Sequence, residues 1–166
     1  MKITRLRLGR DKNAAAALMA ASDPWRKLGL RKEHCAKTFS VPFRETWAAR
    51  EGKAIAGFVV ITMYGTFRGY IQVLFVAPGF RSAGLGEALM RFAEAKIFAR
   101  TPNVFLCVSS FNKGASRFYR RLGYRKAGLL KDFLIKGSDE MLLRKTKGPL
   151  RDFTAARPKG KTNGKR

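Results

Sequence analysis

The chain has 166 residues, 46% of them apolar and 28% charged, and its 35 Lys and Arg against 11 Asp and Glu give a formal charge of +24. A chain this long forms one domain without staples, and no apolar run approaches the roughly 20 residues that cross a bilayer, so no membrane partner is expected. Cys35 and Cys107 are too few for a disulfide framework and lie in no ligand-like spacing, which predicts a reducing, cytoplasmic setting and no metal. The positive surface draws phosphate-bearing or acidic partners, whether nucleotide, nucleic acid or protein, without choosing among them.

Lys2 to Leu8 alternates as a first strand, and Asp11 to Ala21 follows as an alanine-rich helix stopping near Ser22-Asp23-Pro24. Lys2, Arg5, Arg7 and Arg10 ahead of Ala14 to Ala21 loosely imitate a secretory signal, but Asp11 and Lys12 interrupt it and the apolar part is mostly alanine. Arg31 to Ala36 reads as a short second helix. Phe43 to Arg50 and Ala54 to Met63 read as a hairpin turning at Glu51-Gly52. Tyr70 to Val76 is apolar on both faces, as a buried central strand is, and Ala77-Pro78-Gly79 ends it. Leu85, Leu89, Phe92, Ala93 and Ile97 recur at helical spacing up to Thr101-Pro102. Asn103 to Ser109 is a core strand, Lys113 to Leu122 a helix ended by Gly123, and Tyr124 to Leu130 and Glu140 to Lys145 are late strands. The expected domain spans residues 1–147. Residues 148–166 form a basic tail, with Pro158 to Arg166 expected to be disordered.

Val76-Ala77-Pro78-Gly79-Phe80-Arg81-Ser82-Ala83-Gly84-Leu85-Gly86-Glu87 takes a buried strand through a glycine-bearing turn into an amphipathic helix. Glycines allow positive φ and close approach, and the first N–H groups of a helix point outward without internal partners, so the turn suits an anion such as phosphate. The plain alternative is a left-handed turn joining strand to helix. There is no Gly-Lys-Ser/Thr of a P-loop, and the glycines do not space as G-x-G-x-x-G.

Arg81-x-x-Gly84-x-Gly86 after Val76-x-Pro78 resembles the acetyl-CoA signature of the GNAT superfamily of N-acetyltransferases. Phe105 to Asn112, then Ala115, Phe118-Tyr119 and Leu122-Gly123-Tyr124, resemble that superfamily's later motif, nearest to alanine N-acetyltransferases acting on ribosomal proteins. The resemblance covers roughly Phe43 to Lys145. It implies an α/β fold with a mixed, mostly antiparallel sheet whose parallel central strands, Tyr70 to Val76 and Val104 to Ser109, splay apart. It implies that backbone groups of Leu74, Phe75 and Val76 pair with the pantetheine arm of acetyl-CoA, and that Arg81, Ser82, Ala83, Gly84, Leu85, Gly86 and Glu87 hold the pyrophosphate. Asn112 would bond the arm from the other side, a backbone N–H near Val76 would stabilise the oxyanion, and Tyr119 would protonate the departing thiolate.

The resemblance implies a primary amine as acceptor, whether a protein N-terminus, a lysine or a small molecule, without deciding among them. The general base stays open. The related alanine N-acetyltransferases carry Glu five residues before the Asn, where this chain has Cys107, read as a core residue. Glu45 reads as a solvated strand carboxylate, His34 as a structural histidine, and Trp25 as either a wall of the amine pocket or a packed indole. The competing reading is an RNA- or ribosome-associated binding protein that keeps the acetyltransferase fold. It rests on the basic tail and on Arg117, Arg120, Arg121, Arg125 and Lys126, with no recognised nucleic-acid motif behind it.

Overall fold

A computed structural model describes residues 1–6 and 9–155. The elements run β1 (Ile3–Arg5), α1 (Arg10–Ala20), α2 (Lys32–Thr38), β2 (Arg44–Glu51), β3 (Ala54–Thr62), β4 (Tyr70–Val76), α3 (Leu85–Phe98), β5 (Asn103–Ser109), α4 (Lys113–Arg121), β6 (Arg125–Ile135) and β7 (Ser138–Thr146). The strands form one seven-stranded sheet in the order β1-β2-β3-β4-β5-β7-β6, antiparallel except where β4 meets β5. This is the mixed, mostly antiparallel sheet with parallel central strands that the sequence predicts.

The central strands are apolar on both faces because each face packs under a pair of helices. Phe58, Val60, Val73 and Phe75 join one buried cluster with Ala15, Met19 and Cys35 of α1 and α2. Val59, Ile61 and Ile71 join another with Leu89, Ala93 and Ile97 of α3, and Phe118 and Tyr119 of α4 pack against its margin. Alternation along β4 breaks at Gln72: Val73 opposes Val60 and Ile71 opposes Ile61, so Gln72 is the extra residue of a β-bulge.

Tyr70 opposite Phe105 is the single pairing between β4 and β5. Beside it the Phe105 N–H donates to the Gly69 carbonyl at 3.0 Å. Gly69 has φ 90°, and a Cβ there would lie 2.4 Å from the Asn103 carbonyl oxygen, so only glycine lets β5 come this close. Above this link the two strands separate. β4 swerves at its bulge, while every residue from Asn103 to Ser109 is held by β7 on the far side.

Boundaries differ from the sequence expectation at three places. β1 ends at Arg5, although the Leu6 N–H still bonds the Thr46 carbonyl, and the rest of the expected first strand, Arg7 and Leu8, lies outside the described residues. The second helix runs on to Thr38, closed by Phe39. The last two strands form a longer hairpin than the expected Tyr124 to Leu130 and Glu140 to Lys145: Asp132 takes φ 50°, its N–H bonds the Asp139 carboxylate at 3.2 Å, and pairing resumes at Ile135–Ser138. Pro158 to Arg166, expected to be disordered, also lie outside the described residues. Among the described residues no helix is long and apolar enough to cross a membrane.

Gly69→Ala is expected to lower stability by about 2–3 kcal/mol, from backbone strain at positive φ plus the clash with β5. A lowered urea midpoint with an unchanged slope would register it.

Candidate active site

The opening between β4 and β5 is a cavity of about 670 Å³ that continues from the start of α3 down to the Tyr70–Phe105 link. At its upper end the chain leaves β4 through Pro78–Phe80 and reaches α3 by two left-handed residues, Ser82 with φ 64° and Gly84 with φ 76°. The Ala88 N–H is the first to find a helical acceptor, the Gly84 carbonyl at 3.0 Å, and no side chain caps this end. The N–H groups of Leu85, Gly86 and Glu87 are therefore left as unpaired donors at the positive end of a 14-residue helix. Arg81 ties the loop to the strand, its Nε donating to the Val76 carbonyl at 3.2 Å. The Glu87 carboxylate is drawn along the helix to Arg91 at 2.6 Å. Ser82, Gly84, Gly86 and Glu87 line the cavity with Arg81, whereas the Ala83 side chain is exposed and the Leu85 side chain packs into the core under α3.

Strand geometry decides what β4 presents. The Ala77 N–H bonds the Ala56 carbonyl in β3, so at two-residue intervals Phe75 and Val73 also turn their peptide groups toward β3. Leu74 and Val76 turn theirs into the opening. Phe75 faces it with its ring, stacked on Phe58 at 4.9 Å and met by Trp25 at 6.2 Å. Trp25 thus both packs on the core and lines the cavity.

Across the gap stand Cys107, Ser109 and Asn112. Asn112 is the N-cap of α4, its Oδ1 accepting the Ala115 N–H at 3.1 Å. One turn further, Tyr119 presents its ring to the cavity between Phe118 and Tyr124, with centroids at 5.3 and 5.8 Å. Burial pushes its phenol well above the ordinary tyrosine range, so the hydroxyl stays protonated at neutral pH.

The lower end of the cavity holds groups that sequence reasoning missed or placed elsewhere. Cys107, expected in the core, is only half-buried and lines the cavity, because β5 has no neighbour on its β4 side at this level. The Tyr70 hydroxyl meets the Cys107 thiol and peptide N–H, and burial raises the pKa of both side chains. Glu140, from β7, is 3% exposed and lines the same space. Its Oε1 accepts a short hydrogen bond from the Ser109 hydroxyl, and burial raises its pKa against the opposing effect of that bond. No motif spacing points to Glu140, since it enters the site only through the antiparallel register that sets it opposite Ser109. Glu45 lies apart, held by Arg100 at 2.9 Å and by the Trp47 indole at 3.3 Å, whereas His34 also lines the cavity, its Nδ1 accepting the Arg31 N–H at 3.1 Å as a helix cap.

A mixed sheet opened between two parallel strands, with an uncapped helix end at the mouth of the opening, is the architecture of an acyltransferase that uses a CoA thioester. The acetyltransferase (GNAT) family matches residues 12–124, and the chain belongs to that family. The N-alpha-acetyltransferase RimI of Mycobacterium tuberculosis (strain ATCC 25618 / H37Rv) is 27% identical over 150 residues, covering 88% of this chain and 90% of that protein. The ribosomal-protein-S18-alanine N-acetyltransferase of Escherichia coli shares the fold with a TM-score of 0.69 at 18% identity, over 87% of this chain and 92% of its own. An aminoglycoside 6'-N-acetyltransferase complexed with coenzyme A does so with a TM-score of 0.70 at 19% identity, over 90% and 98%.

The raised pKa of Glu140 has a consequence for stability. A carboxyl that binds its proton more tightly when folded favours the fold below its unfolded pKa of about 4.3, and that contribution is lost as pH rises through the folded value. Glu140→Gln should therefore gain stability on the wild type between acidic and neutral pH, seen as a urea midpoint that falls less steeply with pH.

Proposed function

We propose that this enzyme transfers the acetyl group of acetyl-CoA to the α-amine of a protein N-terminus, by direct attack and without a covalent enzyme intermediate. The observation that carries the reading is the opening above the Tyr70–Phe105 link, continuous with the uncapped start of α3. One end suits a pyrophosphate and the other suits a reacting centre shielded from water.

The N–H groups from Ser82 to Glu87 hold the pyrophosphate, as helix N-termini hold anions, and Arg81 anchors the loop that presents them. The pantetheine arm lies along β4 as an added strand, paired to the gap-facing peptide groups of Leu74 and Val76 and bounded by the Phe75 ring. Asn112, whose Oδ1 is committed to its helix, offers its amide nitrogen from the opposite wall. The amine adds to the thioester carbonyl, a gap-facing N–H near Val76 stabilises the oxyanion, and Tyr119 gives its proton to the departing thiolate.

The relation to a RimI that acts as an N-alpha-acetyltransferase supports an N-terminal acceptor. The charge of +24 agrees with it, because such a surface repels polycationic amines more than a peptide carrying a single amino group. RNA or ribosome association rests on that charge alone and would be an added property of the enzyme.

Calorimetry with acetyl-CoA at low and high salt, followed by mass spectrometry of a peptide with a free N-terminal alanine, tests the reading. Saturable binding that survives salt, with acetyl added at the α-amine, is the expected result. Binding that salt abolishes would leave only a cation attracting a polyphosphate. Tyr119→Phe should cut turnover at least tenfold with little change in acetyl-CoA affinity. Gly84→Val should abolish that affinity, because the position needs φ 76° and its branched side chain would stand in the anion's place.

A further inference from the structure

Glu140 is hard to explain as a structural residue. It is 3% exposed in a protein with 35 Lys and Arg, yet among the described residues no cation pairs with it, and its side-chain partner is the neutral Ser109 hydroxyl. An unpaired buried carboxylate costs several kcal/mol by order of magnitude, so a site that keeps one gains something else from it.

Its placement is specific. Residues directly opposite in an antiparallel pair share a face, and so do alternate residues on one strand. Ser109 opposes Glu140 and Cys107 opposes Leu142, so Glu140 shares its face with Cys107 and Ser109, and it borders the same cavity as Tyr70. This is the face that α1 and α2 cover over the first half of the sheet. Their buried cluster contains no residue of β5, β6 or β7, so beyond β4 the face stays free of helices and Glu140 looks into the cavity beside Phe133 and Leu134 of the hairpin.

We propose that Glu140 is the general base that takes a proton from the acceptor ammonium. The proposal rests on the acetyl-transfer reading above. The carboxylate removes one proton from the ammonium, leaving a neutral amine whose nitrogen bonds to the thioester carbonyl carbon. The carbon–sulfur bond then breaks, and the thiolate takes the Tyr119 hydroxyl proton. The surplus proton on the new amide nitrogen restores the Tyr119 hydroxyl, and Glu140 releases its proton to water. The groups that face Glu140 suit this role: the Tyr70 phenol from β4 and the Cys107 thiol from β5 both have pKa values raised by burial and stay neutral, the Ser109 hydroxyl stabilises the carboxylate, and Leu130 opposes it in β6. A raised carboxyl pKa brings the base nearer the working pH.

The test compares the full chain with Glu140→Gln on a peptide with a free N-terminal alanine, following kcat/KM from acidic to alkaline pH. Glu140→Gln should lower kcat/KM about 100-fold at neutral pH, and the deficit should close as pH passes the α-amine pKa of about 8, where the peptide deprotonates unaided. Acetyl-CoA affinity by calorimetry should stay within about twofold, which reports the fold and the cofactor half intact. Adding Cys107→Glu returns a carboxylate to the same face two pairs along the register, and should recover at least about tenfold of the loss. A variant as fast as wild type would overturn the proposal, and so would a deficit that is constant with pH and unrelieved by Cys107→Glu. A wild type that binds acetyl-CoA but acetylates no amine would instead end the functional reading on which the proposal rests.

Discussion

The molecule depends on one constraint: β4 and β5 must touch once and then part. The touch is the Tyr70–Phe105 pair with its Gly69–Phe105 hydrogen bond, and it exists because position 69 lacks a Cβ. Parting is enforced from both sides, by a bulge that turns β4 away and by a continuous ladder that commits β5 to β7. A parallel pair buried under helices would normally satisfy all its peptide groups internally. Here Leu74 and Val76 on one side, and Cys107 and Ser109 on the other, keep peptide groups directed into the gap. In the proposed function an extended ligand arm completes the sheet, and the unsatisfied backbone that would be a fault in a finished core becomes the means of binding.

The two ends of the gap have opposite electrostatic character. At the upper end, unpaired N–H donors of α3 and the nearby Arg81 make a positive concavity open to solvent. At the lower end, Tyr70, Cys107, Tyr119 and Glu140 all have pKa values raised chiefly by burial, so each is shifted toward its neutral form. Long-range attraction from a net charge of +24 concentrates anionic cofactor at the mouth, while the ionisation of the lower-end groups is set by their own burial. The charge thus serves encounter, and the burial serves proton transfer.

The upper half of this arrangement was legible in the sequence and the lower half was not, for a physical reason. The turn that opens α3 is local: strand, glycine turn and amphipathic helix follow one another within Val76 to Leu89, so spacing shows a left-handed turn before a helix, and the family resemblance implies the anion it holds. Tyr119 and Asn112 came from the resemblance alone, carried by a continuous strand–helix unit that the structure places beside the cavity. Glu140 is 31 residues from Ser109, and whether it faces cavity or solvent turns on a register that a one-residue slip would invert. With the strands expected to end at Leu130 and restart at Glu140, the hairpin that sets that register was not visible. A left-handed Asp132 inside a hairpin mimics a loop in composition while pairing resumes beyond it.

A second buried glutamate shows what ordinary accommodation looks like in this protein. Glu94, on α3 behind the site, is 8% exposed, and Lys145 reaches it at 2.7 Å while its charge also acts on the Tyr124 phenol. That pair braces the ring against which Tyr119 packs. One carboxylate sits on a helix and the other on a strand of a chain that has cations to spare, and the difference between them lies in which neighbours the fold brings. One is paired with Lys145 of β7, and the other has the Ser109 hydroxyl as its side-chain partner, which stabilises charge without cancelling it. A group kept ionisable in a dry cavity, when neutralising it would have required only one of many available cations, is a group whose proton affinity the fold has left free to work.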